Sequence, residues 1–450
     1  MGYFLYIILL PVVIVLGNID SELPCYGHNC TSTNITKGSD PRNIRLYSCD
    51  NLGILKRSPN LKSVMIDNCN SDNIDMANFG SLRTLIYLVL QHGNLPKLND
   101  EQFSKMPGLK TLELRNNSIV RISAGAFKGI PEVWKLELQH NEIVSLPTSV
   151  FHPLPQLTDL DLSGNKIATL QREIFDKNPH LLWLSLEDNP LTNVLSISLK
   201  HLVQLNLINC SPLKELHLQT ASSVRLRDSR ISRLDIVGGA EGLFLQKNRL
   251  ENIQIGDKMA VTILDLSDNM LLTWDLQNIL VGMWRLLFLN LSCNLIRELP
   301  VPKRDNSSKE FLLPSLQSLN LSFNMLEYLH GDSPLISPDL TNLDLSHNNI
   351  YIIEPHIFSM VKNLKILHIE WNSIRDFGFD RFYNQHRGLR EVAFYANDFN
   401  NKTYRIITNF FRNAGVNVIE KIYYSRYSRK YEQSPKKEDS KEVSLPFRGM

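Results

Sequence analysis

The chain has 450 residues, of which 43% are hydrophobic and 21% charged, so its bulk is neither disordered nor embedded in a membrane. Its 48 Lys and Arg nearly balance 46 Asp and Glu, and the formal charge of +2 gives no support for nucleic-acid binding or a polyanionic substrate. Six cysteines are too few for a disulfide-built scaffold, though enough to tie down an end.

Phe4 to Leu16 form an apolar run broken only by Pro11. It is shorter than the ~20 residues that cross a bilayer and has the length of a signal-peptide h-region. Val15-Leu16-Gly17 offers modest side chains for cleavage after Gly17, so residues 1–17 are expected to be a signal peptide and the mature chain to be secreted. The missing Lys or Arg before the run leaves an uncleaved anchor as the alternative. No later segment suits membrane insertion. Sequons at Asn29, Asn34, Asn116, Asn209, Asn290, Asn306, Asn320 and Asn401 agree with a secretory route, although an Asn-rich chain produces some by chance. Residues 18–43 contain Cys25 and Cys30, expected to pair within an N-terminal cap.

From residue 44 to 397 one pattern recurs: apolar, spacer, apolar, two spacers, then Asn or a small substitute. Leu112-Glu-Leu114-Arg-Asn-Asn117, Leu160-Asp-Leu162-Ser-Gly-Asn165 and Leu343-Asp-Leu345-Ser-His-Asn348 are clear copies. The last position falls at 49, 69, 93, 117, 141, 165, 189, 210, 229, 248, 269, 294, 324, 348, 372 and 397, in steps of 19 to 30 with 24 commonest. This is the leucine-rich-repeat signature. It predicts an α/β solenoid (a horseshoe) of about sixteen repeats, with a parallel sheet on the concave side and mostly irregular or short-helix backbone on the convex side. Leu-x-Leu puts both leucines on one face of a short strand, and stacked coils bury them together. The Asn can turn inward to bond backbone groups where each strand ends. Sixteen strands at about 4.8 Å each give a sheet roughly 75 Å long.

Between 189 and 269 the step shrinks to 19–21 residues, and a second apolar triplet appears in each coil, as in Leu213-Lys-Glu-Leu216-His-Leu218. These coils lack room for a helix and should be extended on the convex side. The longer coils have room for about a turn of helix, as at 124–127 and 148–151. The polar insertion 302–310 should project from the surface. Cys49, Cys69 and Cys210 occupy the ladder position and are expected to be buried thiols, although Cys49 and Cys69 also lie within disulfide reach across neighbouring coils. Cys293, just before a ladder Asn, is either a lone thiol or a link between chains. Apolar Tyr404, Ile407, Phe410 and Phe411 with Gly415 as a stop describe one amphipathic helix closing the C-terminal end, in a cap spanning 398–424. Residues 425–450 are polar and basic and are expected to form a disordered tail.

No motif for a nucleophile, a phosphate loop or a metal site is present, and the histidines are scattered without ligand spacing, so no enzyme, cofactor or metal is expected. Asp161, Asp265 and Asp344 recur because the repeat favours Asp there, and they do not form an acid/base pair. The concave spacers are the candidate surface. Lys135, Glu137, Asp159, Trp183 and Glu187 lead it, followed by a basic stripe of Arg225, Arg227, Arg230 and Arg233; Trp and Arg are the types enriched in interface hot spots. Asn290 and Asn320 are also spacers, so glycans there would stand on the concave face and direct docking to repeats before residue 270.

Over residues 18–424 the chain resembles secreted insect leucine-rich-repeat proteins, in particular the mosquito leucine-rich-repeat immune (LRIM-type) proteins of the coil-less kind. The resemblance rests on the leader, the Cys-containing cap, the compressed coils with a doubled triplet, and Asn397-Asp-Phe-Asn-Asn with Phe410-Phe411-Arg. Related caps often carry Cys where this chain has Asn401-Lys402-Thr403, so that disulfide is missing here. Long members dimerise through a coiled coil, and the absence of heptads here implies no coiled-coil dimerisation. The resemblance implies a circulating innate-immune recognition or scaffold factor that associates with extracellular proteins, complement-like thioester proteins among them. An adhesion or developmental ligand-binding protein and a wrap-around enzyme inhibitor are the alternatives.

Overall fold

The computed structural model describes residues 42–48, 52, 55, 57–68, 82–300, 313–329, 333, 335–353 and 355–420. The leader 1–17, the Cys25–Cys30 pair, Cys49, Cys69, the sequons Asn29, Asn34 and Asn306, the insertion 302–310 and the tail 425–450 lie outside the described residues.

The chain is a leucine-rich-repeat solenoid. Its short strands join, each to the next in sequence, in a 17-stranded parallel sheet. The register is that of the repeat: Leu112, Leu136, Leu160 and Leu184 stand side by side and are fully buried or nearly so. Each such side chain gains roughly 1.5–3 kcal/mol from leaving water, whereas ordering each residue costs about 1–2 kcal/mol in the backbone, so a coil persists only when stacked. Behind the leucines of the N-terminal coils runs a file of stacked rings, Phe103, Phe127, Phe151 and Phe175, with centroids 6.5, 6.3 and 5.9 Å apart.

The ladder Asn closes each strand. Nδ2 of Asn165 donates to the carbonyls of Leu138 (3.0 Å) and Leu162 (2.9 Å), while its Oδ1 accepts from the N–H of Ile143 (3.1 Å). Asn348 repeats this with Leu321, Leu345 and Leu326. Where the Asn is lost the substitute bonds similarly. The Ser229 hydroxyl donates to Leu207 O at 2.7 Å and accepts from the Cys210 N–H, and the Cys210 thiol donates to Leu186 O at 3.1 Å. The residue before each ladder position is left-handed from Asn68 to Ala396, with φ between 53° and 62°. That conformation costs a side-chain-bearing residue roughly 1–2 kcal/mol, and it is what turns the following Asn inward to make its bonds.

In the compressed coils the second apolar triplet forms its own four-stranded parallel sheet from Asn193–Ile197, Leu213–Leu218, Arg233–Gly239 and Asn252–Asp257. The turn of helix expected in the 24-residue coils is present as 3-10 helix at Arg172–Phe175 and Pro355–Phe358, while 124–127 and 148–151 are turns closed by i→i+3 bonds, such as Ala126 N–H to Ser123 O and Val150 N–H to Pro147 O (both 3.0 Å). The α-helices Thr273–Leu280 and Phe379–Gln385 sit in coils one residue longer, between ladder positions 269 and 294 and between 372 and 397.

The C-terminal helix spans Asn401–Asn413, begun by the Asn400 side chain accepting from Thr403 N–H (2.8 Å), and it buries Ile407, Thr408 and Phe411. Gly415 (φ +79°) ends it, and Asn417–Ile419 then pairs with Glu391–Ala393. The sheet therefore has one strand more than the sixteen counted from the repeat, because Asn417-Val-Ile419 lacks the leucine pattern.

Candidate functional site

The solvent face of the long sheet brings four of the candidates together. Lys135 and Glu137, Asp159, and Trp183 lie on three successive strands, with Lys135 beside Asp159 and Asp159 beside Trp183. With Asp161 and Asn206 they line a shallow depression of about 200 Å³. Trp183 is 44% exposed, and it is the tryptophan that lines this depression; Trp134, Trp274, Trp284 and Trp371 are exposed elsewhere on the surface.

Charges across this face are interlocked. Lys135 Nζ lies 2.6 Å from Glu137 Oε1, and Arg115 reaches both Glu113 (3.5 Å) and Glu137 (3.8 Å). Burial works against the charge on Lys135, but the Glu137 bond and the Glu113 and Asp159 carboxylates outweigh it and hold its pKa above the usual value. The Tyr87 hydroxyl donates to Glu113, and burial together with that carboxylate drives its pKa upward. Glu187 is held at the far rim by Asn206 Nδ2 (2.8 Å). Asp161, Asp265 and Asp344 each accept the backbone N–H of the serine two residues on (2.9 Å), so the recurring Asp closes the strand end, as Asx turns do.

The basic stripe is not one surface. Arg225 and Arg227 face solvent on the long sheet, and the Arg225 guanidinium lies 5.9 Å from the Phe244 ring centroid. Arg230 sits in the following turn with φ 57°, and Arg233 belongs to the four-stranded sheet, where Nε bonds Asp235 at 2.9 Å. The short coil carries the chain from one sheet to the other within eight residues, so sequence neighbours here are not surface neighbours.

Among the described sequons, Asn290 and Asn320 stand in register between Asp265 and Asp344 on the sheet face. Asn116 and Asn209 lie in the left-handed row at the sheet edge, and Asn401 opens the C-terminal helix. Further along the face, burial pushes Glu370 up to about 7, with Asp344 and Glu391 adding and His368 opposing.

Cys210 and Cys293 are free. Cys293 occupies the left-handed row, half-buried, and burial with Asp268 nearby pushes its thiol up to about 11; burial pushes Cys210 up to about 12. Both are thus thiols, not thiolates, near neutrality, which slows their reaction with electrophiles. Alkylation of the folded protein at pH 7.5 should be at least about tenfold slower at Cys293 than for a free cysteine. A rate equal to that of the denatured chain would contradict this.

One surface feature escaped the sequence reading. Phe323, His347 and Trp371 stack along the left-handed row at 3.9 and 5.4 Å between centroids, and Tyr395 meets Trp371 edge-on at 6.5 Å. The signal was there, an aromatic or His immediately before the ladder Asn in three coils running, but it has meaning only once that row is known to be aligned.

A family model described as leucine rich repeat matches residues 59–119, 84–143, 107–167, 135–191, 155–212 and 314–374. Osteomodulin of Rattus norvegicus is 36% identical over 66 residues, 14% of this chain and only 16% of that protein. Among solved structures, a leucine-rich-repeat protein of Leptospira interrogans superposes with a TM-score of 0.57 at 20% identity, covering 84% of this chain and 89% of that one. The Toll–Spatzle complex of Drosophila gives 0.60 at 24% identity over 77% of this chain, which spans about half (52%) of the matched chain. The leucine-rich-repeat domain of APL1B gives 0.50 at 22% identity, covering 78% and 92%. At these identities the likeness is one of fold. No helix among the described residues is long and apolar enough to cross a membrane.

Proposed function

Because the chain is a leucine-rich-repeat solenoid, we propose that it is a secreted, glycosylated protein-binding factor of innate immunity that holds an extracellular protein partner against the face of its long sheet. The observation that carries this is the depression around Trp183, where an exposed indole, an ion pair and carboxylates converge on a rigid sheet. A rigid surface loses little entropy on docking, and a central aromatic is a usual anchor. The leader, the sequons and the resemblance to the mosquito immune proteins support secretion and the immune setting. So does the fold shared with a chain of the Toll–Spatzle complex, described as a hub of development and innate immunity. On this reading thioester proteins of the complement type are among the expected partners. Glycans on Asn290 and Asn320 would cover the face beyond residue 270 and leave the Trp183 region open.

The test uses the protein's own geometry. Asp161→Asn creates the sequon Asn-Leu-Ser at the register position that Asn290-Leu-Ser292 and Asn320-Leu-Ser322 occupy in later coils. The variant should fold normally, gain a glycan removable by glycosidase, and lose the partners that the wild-type protein captures from native extracellular fluid. An unchanged partner set would exclude this face as the site. Membrane receptors or matrix proteins among the wild-type partners, in place of defence proteins, would overturn the immune assignment.

A further inference from the structure

We infer that the depression around Trp183 receives an arginine side chain of the partner, its guanidinium stacked on the indole and bonded to Asp159 and Asp161. The inference rests on the reading that a protein docks on this face, and it adds the chemistry of the contact.

The lining of the depression includes three carboxylates, Glu137, Asp159 and Asp161, against one ammonium, Lys135. Lys135 and Glu137 are spent on each other at 2.6 Å. Two carboxylates remain. Asp159 Oδ2 accepts from the Thr158 hydroxyl (2.5 Å), and Asp161 Oδ1 accepts from the Ser163 N–H and hydroxyl (2.9 and 2.6 Å). Asp159 Oδ1 and Asp161 Oδ2 accept nothing from the described residues, so each has a lone-pair direction open to solvent. Trp183 is beside Asp159 in register, on the neighbouring strand about 4.8 Å away, and Asp161 is two residues along on the same face. An aromatic face and two free carboxylate oxygens thus lie within the span of one side chain.

The local field favours a cation. Lys135 keeps its pKa above the usual value in spite of burial, because the surrounding carboxylates outweigh desolvation. The sheet also shows that its coil spacing accommodates a guanidinium in both kinds of contact. Arg225 lies over Phe244 across one strand spacing, and Arg115 bridges Glu113 and Glu137 across another. Arginine fits better than lysine because its planar group stacks on an indole, donates to two carboxylates at fixed angles, and gives up water more readily. The volume of about 200 Å³ admits one large side chain and excludes a folded element.

The experiment titrates the purified glycosylated protein with an acetylated, amidated pentapeptide carrying one central arginine, and with twins carrying lysine or the neutral isostere citrulline. The readout is the fluorescence difference between wild type and Trp183→Phe. The arginine peptide should give a saturable, salt-sensitive change in the millimolar range. The citrulline twin should bind about tenfold more weakly, and Asp159→Asn should lower arginine binding by a similar factor, as loss of one charge-assisted contact implies. Equal binding of the arginine and citrulline peptides, or a response that persists in Trp183→Phe, would overturn the inference. The two proposals fail separately. If the added glycan at position 161 abolishes partner capture while citrulline equals arginine, the docking face stands and the arginine contact falls. If capture survives the glycan, the docking face falls.

Discussion

Phe127→Ala is expected to destabilise the solenoid by about 3–5 kcal/mol, a large share of the roughly 5–15 kcal/mol that folded domains typically possess. Phe127 is fully buried, and its ring is stacked between Phe103 and Phe151 at 6.5 and 6.3 Å. Alanine removes the ring and leaves a cavity that neighbouring coils cannot collapse into, because each is fixed by its own strand pairing and ladder Asn. Two aromatic contacts, each adding about 0.5–1.5 kcal/mol beyond burial, disappear together. Denaturant unfolding should show a lower midpoint. Hydrogen exchange should show the loss concentrated in coils 100–180, with coils 340–400 nearly unchanged, since each repeat feels mainly its neighbours. A midpoint within experimental error of wild type would mean that the file of rings contributes nothing and that the leucines alone hold these coils.

Asn165→Ala should cost about 2–4 kcal/mol for a different reason. The change creates little cavity, but it strips the Ile143 N–H and the Leu138 and Leu162 carbonyls of a partner inside the sheet edge. An unpaired buried backbone group costs about 1–3 kcal/mol, and water can reach only part of this site. Asn165→Ser should be milder, because Ser229 already serves the ladder with one donation and one acceptance. The order wild type, Ser, Ala in denaturant midpoint is the outcome that checks this. If Ser and Ala are equally damaging, the amide contributes through its shape and not through its hydrogen bonds.

The repeat was legible because its cause is local. Leu160-Asp-Leu162 must alternate faces whatever surrounds it, and Asn165 must follow at a fixed distance to close the strand, so period and register could be read directly. The doubled triplet at Leu213, Leu216 and Leu218 announced extended backbone for the same reason, and a four-stranded sheet is present there. The C-terminal helix was visible in the spacing of Tyr404, Ile407, Phe410 and Phe411. The strand Asn417–Ile419 was not, because three residues without a repeat signature acquire their conformation from the edge they extend.

The candidate site divides along the same line. Trp183, Asp159, Lys135 and Glu137 were found as spacers, since alternation alone puts them on the solvent side. That they share one depression depends on which side chains adjacent coils bring within about 5 Å, whereas the Lys135–Glu137 pair lies within one strand. Arg225 and Arg233 look like one stripe in the sequence and lie on different sheets in space, because the short coil reverses face between them. The left-handed row, with Phe323, His347 and Trp371 stacked along it, is likewise invisible until coils are aligned. The sequence by itself determined the solenoid, its coil lengths and the identity of its exposed spacers, because each follows from a period within one coil. The tertiary structure alone decided which spacers of different coils meet and which aromatic rings align, because those are contacts between coils about 24 residues apart and depend on the stacking.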